Sequence, residues 1–415
     1  MLSVNQAEKI ILDLVKPITE SEIVKLVNGH NRILAVNVSS KLDFPYWDNS
    51  AMDGYAVKYV DVKNCSLDNP IKLDIVEEIR AGYTPKYELK SGQAARIFTG
   101  AMLPQGADTV VMQENTKKEG NLVKILVAPK PQEFVRHKGS FYQSGRDLLT
   151  SGIKIDSPEM AILATAQSTK LTVFRKPKVA IFSTGDELIT PEKTLQSGQI
   201  IDSNKYLLIS FITQNNGIPI DLGIVPDRQE ALKNTISQAI QQADCVLSTG
   251  GVSVGEYDYV DQILTELGAK IQFRNVAIKP GKPLTFATFD HGCLYFGIPG
   301  NPVSTMVTCW RFVQSALQKL SGLANNYQPI FVNAKTRHNL HSTGQRETYL
   351  WGKLFLVNGE YEFELATGFH NSANLINLAE TNGLAVVPVG TKTIAAENYL
   401  QVMQVNKPIV CIEKL

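Results

Sequence analysis

The sequence predicts a multidomain protein of α/β plus β class: a parallel three-layer α/β domain, a β-rich second domain, a discontinuous helical linking domain and a C-terminal β-barrel or sandwich. Three observations predict it. The 415 residues exceed what one hydrophobic core organises. After Pro177 the chain alternates strand patterns with helical patterns, the signature of a parallel sheet covered on both faces. On either side of that stretch, short apolar runs are broken by Gly, Pro, Asn and Asp, as in all-β folds.

The first element is a helix. "MLSVNQAEKIILDLV" places Ala7, Ile10, Ile11 and Leu14 at helical spacing among charged residues, so it reads as an amphipathic helix and not as a signal segment. From Arg32 to Pro129 the runs "RILAVNV", "IKLDIVEEI", "TVVMQE" and "LVKILVAP" read as strands. "SPEMAILATAQST" reads as a helix opened by Ser157 and Pro158, expected to pack beside the N-terminal helix. The alternation then runs through "KVAIFST", a helix near Ser203 to Gln214, "IPIDLGIV", a helix near Gln229 to Gln242, "DCVLST", a helix after Asp258, "IQFRNVAI" and "CLYFGI". The strand patterns "IFVNAKT", "ETYLWGKLFLV", "EYEFELA" and "GLAVVPV" close the chain. The expected domains are 1–44 with 145–176, 45–144, 177–323 and 324–415.

Lys plus Arg total 41 against 40 for Asp plus Glu, so no net field draws the molecule to nucleic acid or an anionic membrane. An anionic ligand must be held locally. Five cysteines without a CxxC pair argue against structural zinc and a disulfide framework, and predict a reducing cytoplasm. No apolar run is long enough to span a bilayer.

In an open parallel sheet, ligands bind beyond the carboxyl ends of the strands. The loops after the predicted strands are therefore informative: "TGDEL" (Thr184 to Leu188), Pro226 with Asp227, "STGGVSVGEYDY" (Ser248 to Tyr259), "KPGKP" (Lys279 to Pro283) and "PGNPVS" (Pro299 to Ser304). Each alone is a turn; together they predict one site. Gly250 and Gly255 have the spacing of a P-loop, with Gly251 and Ser253 between them, but Glu256 stands where that motif needs a phosphate-neutralising Lys. Backbone N–H groups would then take the phosphate, with a divalent cation between phosphate oxygens and carboxylates. Mg2+ suits one or two carboxylates plus phosphate, and Asp186, Glu187, Glu256 and Asp258 are candidate ligands. Asp258 reads equally as the N-cap of the next helix. Lys279 and Lys282 supply cations, while Asn301 and Pro302 open a helix whose N-terminus faces an anion.

Together, "TGDEL", "STGGVSVGEYDY", "IKPGKP" and "GIPGNPVS" resemble the molybdopterin molybdenumtransferase family, MoeA in bacteria and the E domain of gephyrin in animals. "DNSAMDGYAV" and "RIFTGAMLP" in the front half resemble its other signature segments, and the match is collinear from about residue 5 to the C-terminus. The resemblance implies a MogA-like α/β domain and a homodimer whose active site lies between the α/β domain of one chain and the β-rich domain of the other. It implies that adenylylated molybdopterin and molybdate, with Mg2+, give molybdenum cofactor and AMP. The molybdopterin adenylyltransferase and molybdoenzyme chaperones are implied partners. The residues at family functional positions are Asp53, Thr99, Asp186, Glu187, Asp227, Asp258, Lys279, Lys282, Pro299 and Pro302, with Ser372 in "GFHNSANL" and Arg346 in "GQRETYLWG". Gly300, Asn301 and Ser304 complete the expected substrate-binding set.

One segment departs from the pattern. The family usually carries an Arg-rich turn ending in Gly-Glu-Asp, whereas "VRHKGSFYQSG" keeps Arg136, His137, Lys138 and Gly139 and then has Ser140 and Phe141. The basic part of an anion site is intact; one acidic contribution is in doubt. That admits a weakly active paralogue or a binding scaffold of gephyrin E-domain type. Adenylyl transfer to molybdopterin, the preceding step, is disfavoured because only one α/β domain is present.

Overall fold

The computed structural model describes residues 1–250 and 259–411. They form two compact units, the first comprising 1–36, 151–156 and 170–415 and the second 37–150 and 157–169.

The first unit is built on a six-stranded sheet in the order Ile218–Val225, Lys178–Thr184, Cys245–Thr249, Leu294–Ile298, Pro283–Thr288, Lys270–Asn275. The first four strands are parallel, and the last two add antiparallel pairings at one side. Alternate residues point to opposite faces. Val179 and Ile181 enter one core with Leu208, Phe211 and Phe312, while Ala180 and Phe182 enter the other with Leu232, Ile236 and Ile263. The expected three-layer domain is present. The "IQFRNVAI" stretch, expected as one strand, divides: Lys270–Asn275 stays in the sheet, and Ile278–Lys279 leaves it to pair in parallel with Glu347 and Thr348. The strand Pro283–Thr288, which is not among the strands expected from sequence, returns antiparallel.

The helix Val4–Leu14 carries a Ser3–Gln6 capping box and buries Val4, Ala7 and Ile11 in the α/β core. The helix Ser157–Thr165, grouped with it in the sequence reading, is part of the second unit and buries only Leu163 among its residues. The N-terminal stripe finds deeper apolar cover against the α/β layer. Its Glu8 also pairs with Arg311, whose side chain is 2% exposed. Strands Ser21–Lys25 and Lys170–Phe174 pair antiparallel, with bridges Ile33 to Lys154 and Leu34 to Val173, so distant chain segments make one small element. "RILAVNV" supplies those bridges and only the two-residue strand Val38–Ser39, in the second unit.

The C-terminal strands close a ring: Glu347–Val357, Glu360–Leu365, Ile330–Thr336, Tyr399–Gln404, Gly383–Val387 and back to Glu347–Val357. Of the barrel and the sandwich, the barrel is the fold. Ala334, Leu354, Phe363, Ala385 and Val402 fill it.

The second unit holds a six-stranded sheet, Thr109–Met112, Gly54–Val57, Gln93–Ile97, Ile71–Ile79, Leu122–Ile125, Thr116–Glu119. Tyr55 and Val57 enter one core and Ala56 another, again by strand alternation.

Candidate functional site

The carboxyl ends of the α/β strands and the mouth of the barrel enclose a cleft of about 1090 Å3. Three loops set its floor by close backbone approach. Gly250 follows the strand Cys245–Thr249 at φ +85°, and a Cβ there would lie 2.4 Å from the Thr184 carbonyl oxygen. Any other residue would clash and strain the backbone. Gly300, in "PGNP", lies against Gly250. Gly281, in "KPGKP", has φ +105°, and a Cβ would meet Thr308 Oγ1 at 2.8 Å. "TGDEL", Ser248 to Gly250, "KPGKP" and "PGNPVS" thus share one surface.

The cleft lining carries both basic and acidic side chains. Asn301 is the N-cap of the helix Pro302–Thr308, with Pro302 in the first turn as expected, but its side chain does not cap: Asn301 Nδ2 donates to Ser372 Oγ at 3.1 Å. The Val303 N–H donates to the Ser372 carbonyl at 3.1 Å. Ser372 is thereby fixed at the positive end of a helix. Lys279, Lys282, His341 and Arg346 line the same cleft, and Arg346 is held by a 3.2 Å bond from its guanidinium to the Ile278 carbonyl. Glu187 lines the cleft as well. Beside it, the Asp227 N–H donates to Asp186 Oδ1 at 3.3 Å. Burial raises the pKa of Asp227, and the charges of Asp186 and Glu187 raise it further, while Thr184 opposes them. Crowded carboxylates of this kind suit a divalent cation. Among the described residues no group of three His, Cys, Asp or Glu converges on one point.

Of the residues expected from sequence, Glu187, Gly250, Lys279, Lys282, Pro299, Gly300, Asn301, Pro302, Ser304, Arg346 and Ser372 line the cleft. Asp186 and Asp227 adjoin Glu187 without lining it. Gly251, Ser253, Gly255, Glu256 and Asp258 lie outside the described residues. Sequence reasoning passed over Asp202 and Asn204, which also line the cleft. Asp-x-Asn at a helix start reads as capping, and only the burial of both side chains, 3% and 8% exposed, sets them apart.

Asp53, Thr99 and Arg136 are in the second unit. Asp53 Oδ1 accepts from the Thr99 N–H and hydroxyl, each at 2.8 Å. The backbone bond foremost, then the hydroxyl, hold the Asp53 carboxyl below the usual range, with Arg96 adding to them. Arg136 lies in the short strand Val135–Arg136 paired to Asn49–Ser50. In the departing turn, Phe141 is 63% exposed and packs its ring on Phe44 at 5.7 Å. Asp48 accepts from the Lys138 N–H at 2.7 Å and contacts His137 at 3.1 Å, while Asp43 accepts from the Ser144 N–H at 2.8 Å. Two aspartates therefore serve this turn from a neighbouring segment.

A three-layer α/β domain fused to a barrel, with backbone, basic and acidic groups lining a cleft at its strand ends, defines a multidomain α/β protein with its candidate site where such sheets bind ligands. Residues 2–166 match the family model for the MoeA N-terminal region (domain I and II), 180–319 that for a probable molybdopterin binding domain, and 333–404 that for the MoeA C-terminal region (domain IV). A molybdopterin molybdenumtransferase of Nostoc sp. is 54% identical over 97% of this chain and 94% of its own length, and one of Haemophilus influenzae is 33% identical over 98% and 99%. The crystal structure of a molybdopterin biosynthesis MoeA protein from Pyrococcus horikosii is similar with a TM-score of 0.83 and 29% identity, covering 98% of this chain and 100% of that one. The chain belongs to the molybdopterin molybdenumtransferase family of molybdenum cofactor biosynthesis.

Proposed function

We propose that this chain inserts molybdate into adenylylated molybdopterin, releasing AMP, with Mg2+ required. The observation that carries the reading is one cleft lined by a helix N-terminus, by Lys279, Lys282 and Arg346, and by Glu187, which Asp186 and Asp227 adjoin. Cleaving the phosphoanhydride needs neutralised charge and an oriented nucleophilic oxygen, with little covalent help. Lys279 and Lys282 stabilise charge developing on the phosphates. Arg346 and Ser372, with the helix N-terminus, hold the tetrahedral molybdate dianion. Asp186 and Glu187, with Glu256 and Asp258, would hold Mg2+, which when bound neutralises phosphate charge. Asp53, oriented by Thr99, accepts a hydrogen bond from a substrate hydroxyl or from water.

The chain is further proposed to act as a cytoplasmic homodimer that shares its active site between subunits, fed by the molybdopterin adenylyltransferase and served by molybdoenzyme chaperones. Incubation with adenylylated molybdopterin, Mg2+ and molybdate should give molybdate-dependent AMP release and reconstitute a molybdenum apoenzyme. Absence of that turnover in a folded dimer would leave the scaffold reading, which the exposed Phe141 in place of an acidic residue favours. Restoring Glu and Asp at Ser140 and Phe141 raises the rate if the lost pair matters; an unchanged rate shows that it is dispensable.

A further inference from the structure

The cleft floor has two oxygens that its chemistry so far leaves idle. Ile200–Ile201 pairs with Leu188–Ile189, and the Asp202 N–H donates to the Ile189 carbonyl at 2.9 Å, so this segment is fixed before the helix Asn204–Gln214 begins. Asp202 Oδ1 accepts from the Lys205 N–H at 3.2 Å. Asn204 Nδ2 donates to the Gly300 carbonyl at 2.7 Å, which settles the orientation of that amide. Asp202 Oδ2 and Asn204 Oδ1 remain, and both are buried without a hydrogen-bond partner among the described residues. A buried acceptor left unpaired is costly, so a pair of them at the wall of a large cleft calls for donors from a ligand.

Those oxygens accept only. Phosphate and molybdate dianions offer acceptors too and are repelled here. Mg2+ retains several waters and wants room for them, which side chains 3% and 8% exposed do not give. A planar heterocycle with two adjacent N–H donors meets the need without water. The 2-amino group and N3–H of a pterin are such a pair.

We propose that Asp202 and Asn204 are specificity-determining residues that accept hydrogen bonds from the 2-amino and ring N–H edge of the pterin. The inference rests on the functional reading above, since it takes molybdopterin as the guest. It places the pterin at the foot of the Asn204–Gln214 helix, with Gly300 tying that foot to the anion-binding loop. A site built around hydrogen-bonded N–H groups rejects an analogue lacking one far more strongly than an apolar pocket rejects a change of shape.

Equilibrium binding of pterin-6-carboxylate and lumazine-6-carboxylate, which has a carbonyl in place of the 2-amino group, tests this by their own fluorescence. The pterin should bind at least tenfold more tightly, and Asp202→Asn, which keeps the acceptor for Lys205 but turns an amide N–H toward the ligand, should abolish the preference. Equal affinity for the two compounds, binding of neither, or a preference that survives in the variant overturns the proposal. In turnover, Asp202→Asn should raise KM for adenylylated molybdopterin by roughly ten- to a hundredfold, the range for a hydrogen bond to a charged group. Half-saturation by molybdate and by Mg2+ should not move, and a shifted Mg2+ requirement would make Asp202 a metal ligand instead. Should Asp202→Asn fail to fold, Asn204→Ser is read in the same two assays. Wild-type protein that prefers the pterin yet gives no molybdate-dependent turnover would separate failure of the functional reading from failure of this one.

Discussion

Thr99 reaches Asp53 through both its N–H and its hydroxyl, so the two groups can be separated experimentally. Thr99→Val removes the hydroxyl and leaves the backbone bond. The Asp53 pKa, measured by carboxyl NMR, should then rise part of the way toward its ordinary value. A depressed pKa means stability that is present above the unfolded value and lost as pH falls through the folded one, so the variant should lose that contribution at higher pH than the parent. Asp227 has the opposite sign. Its raised pKa makes the native state bind the proton more tightly, so stability declines as pH climbs from the unfolded value through the folded one. Asp227→Asn should therefore melt slightly higher than the parent at pH 7 and turn over more slowly, the mark of a residue kept for function. At this scale the sequence was most readable where a residue type has one obvious use, such as a lysine flanked by Pro and Gly. It was least readable at Asp202 and Asn204, whose ordinary capping use hides their burial.

At the scale of elements, the strand and helix periods identified the α/β layers because strands buried on both faces carry long apolar runs. "IQFRNVAI" misled because a sharp change of partner within one apolar run leaves no trace in its pattern. The glycines of the loops were legible as turns, but not the distances that make them irreplaceable. Gly250→Ala combines a positive φ with a Cβ 2.4 Å from the Thr184 carbonyl. It should cost about 1–3 kcal/mol in urea unfolding and lower cleft binding as well. Gly292→Ala also has a positive φ, +97°, but meets nothing within 4 Å. The difference between the two variants isolates the close approach. Asp258→Asn, whose position falls outside the described residues, should lower turnover more than stability if it serves metal; equal activity would make it a helix cap.

Over the whole molecule, no helix among the described residues is long and apolar enough to cross a membrane. Arg311 joins parts of the first unit that are far apart in sequence. It bonds Tyr349 of the barrel through Nε at 3.0 Å and Glu8 of the N-terminal helix at 2.6 Å. Burial works against its charge, but Glu8 and Tyr349 outweigh it and raise its pKa. Glu8→Ala should destabilise by about 3–5 kcal/mol, because it leaves a buried guanidinium uncompensated. Arg311→Met should cost less. Chemical denaturation of both variants checks the ranking. If active sites are shared between subunits, mixing Asp53→Asn and Glu187→Gln chains, each weak alone, should restore about a quarter of parental activity; no recovery would place each site within one subunit. This long-range wiring was invisible in the sequence, since no local pattern says which distant residue a buried charge will meet.

The two-residue pairing of Ile278 and Lys279 with Glu347 and Thr348 has a mechanical consequence. Lys279 is hydrogen-bonded into the barrel's edge, whereas Lys282, just before the strand Pro283–Thr288, rides on the α/β sheet. A hinge motion between barrel and sheet would therefore shear the lysine pair. Opening width and cation spacing become a single coordinate, so a ligand that narrows the gap also tunes the field it experiences.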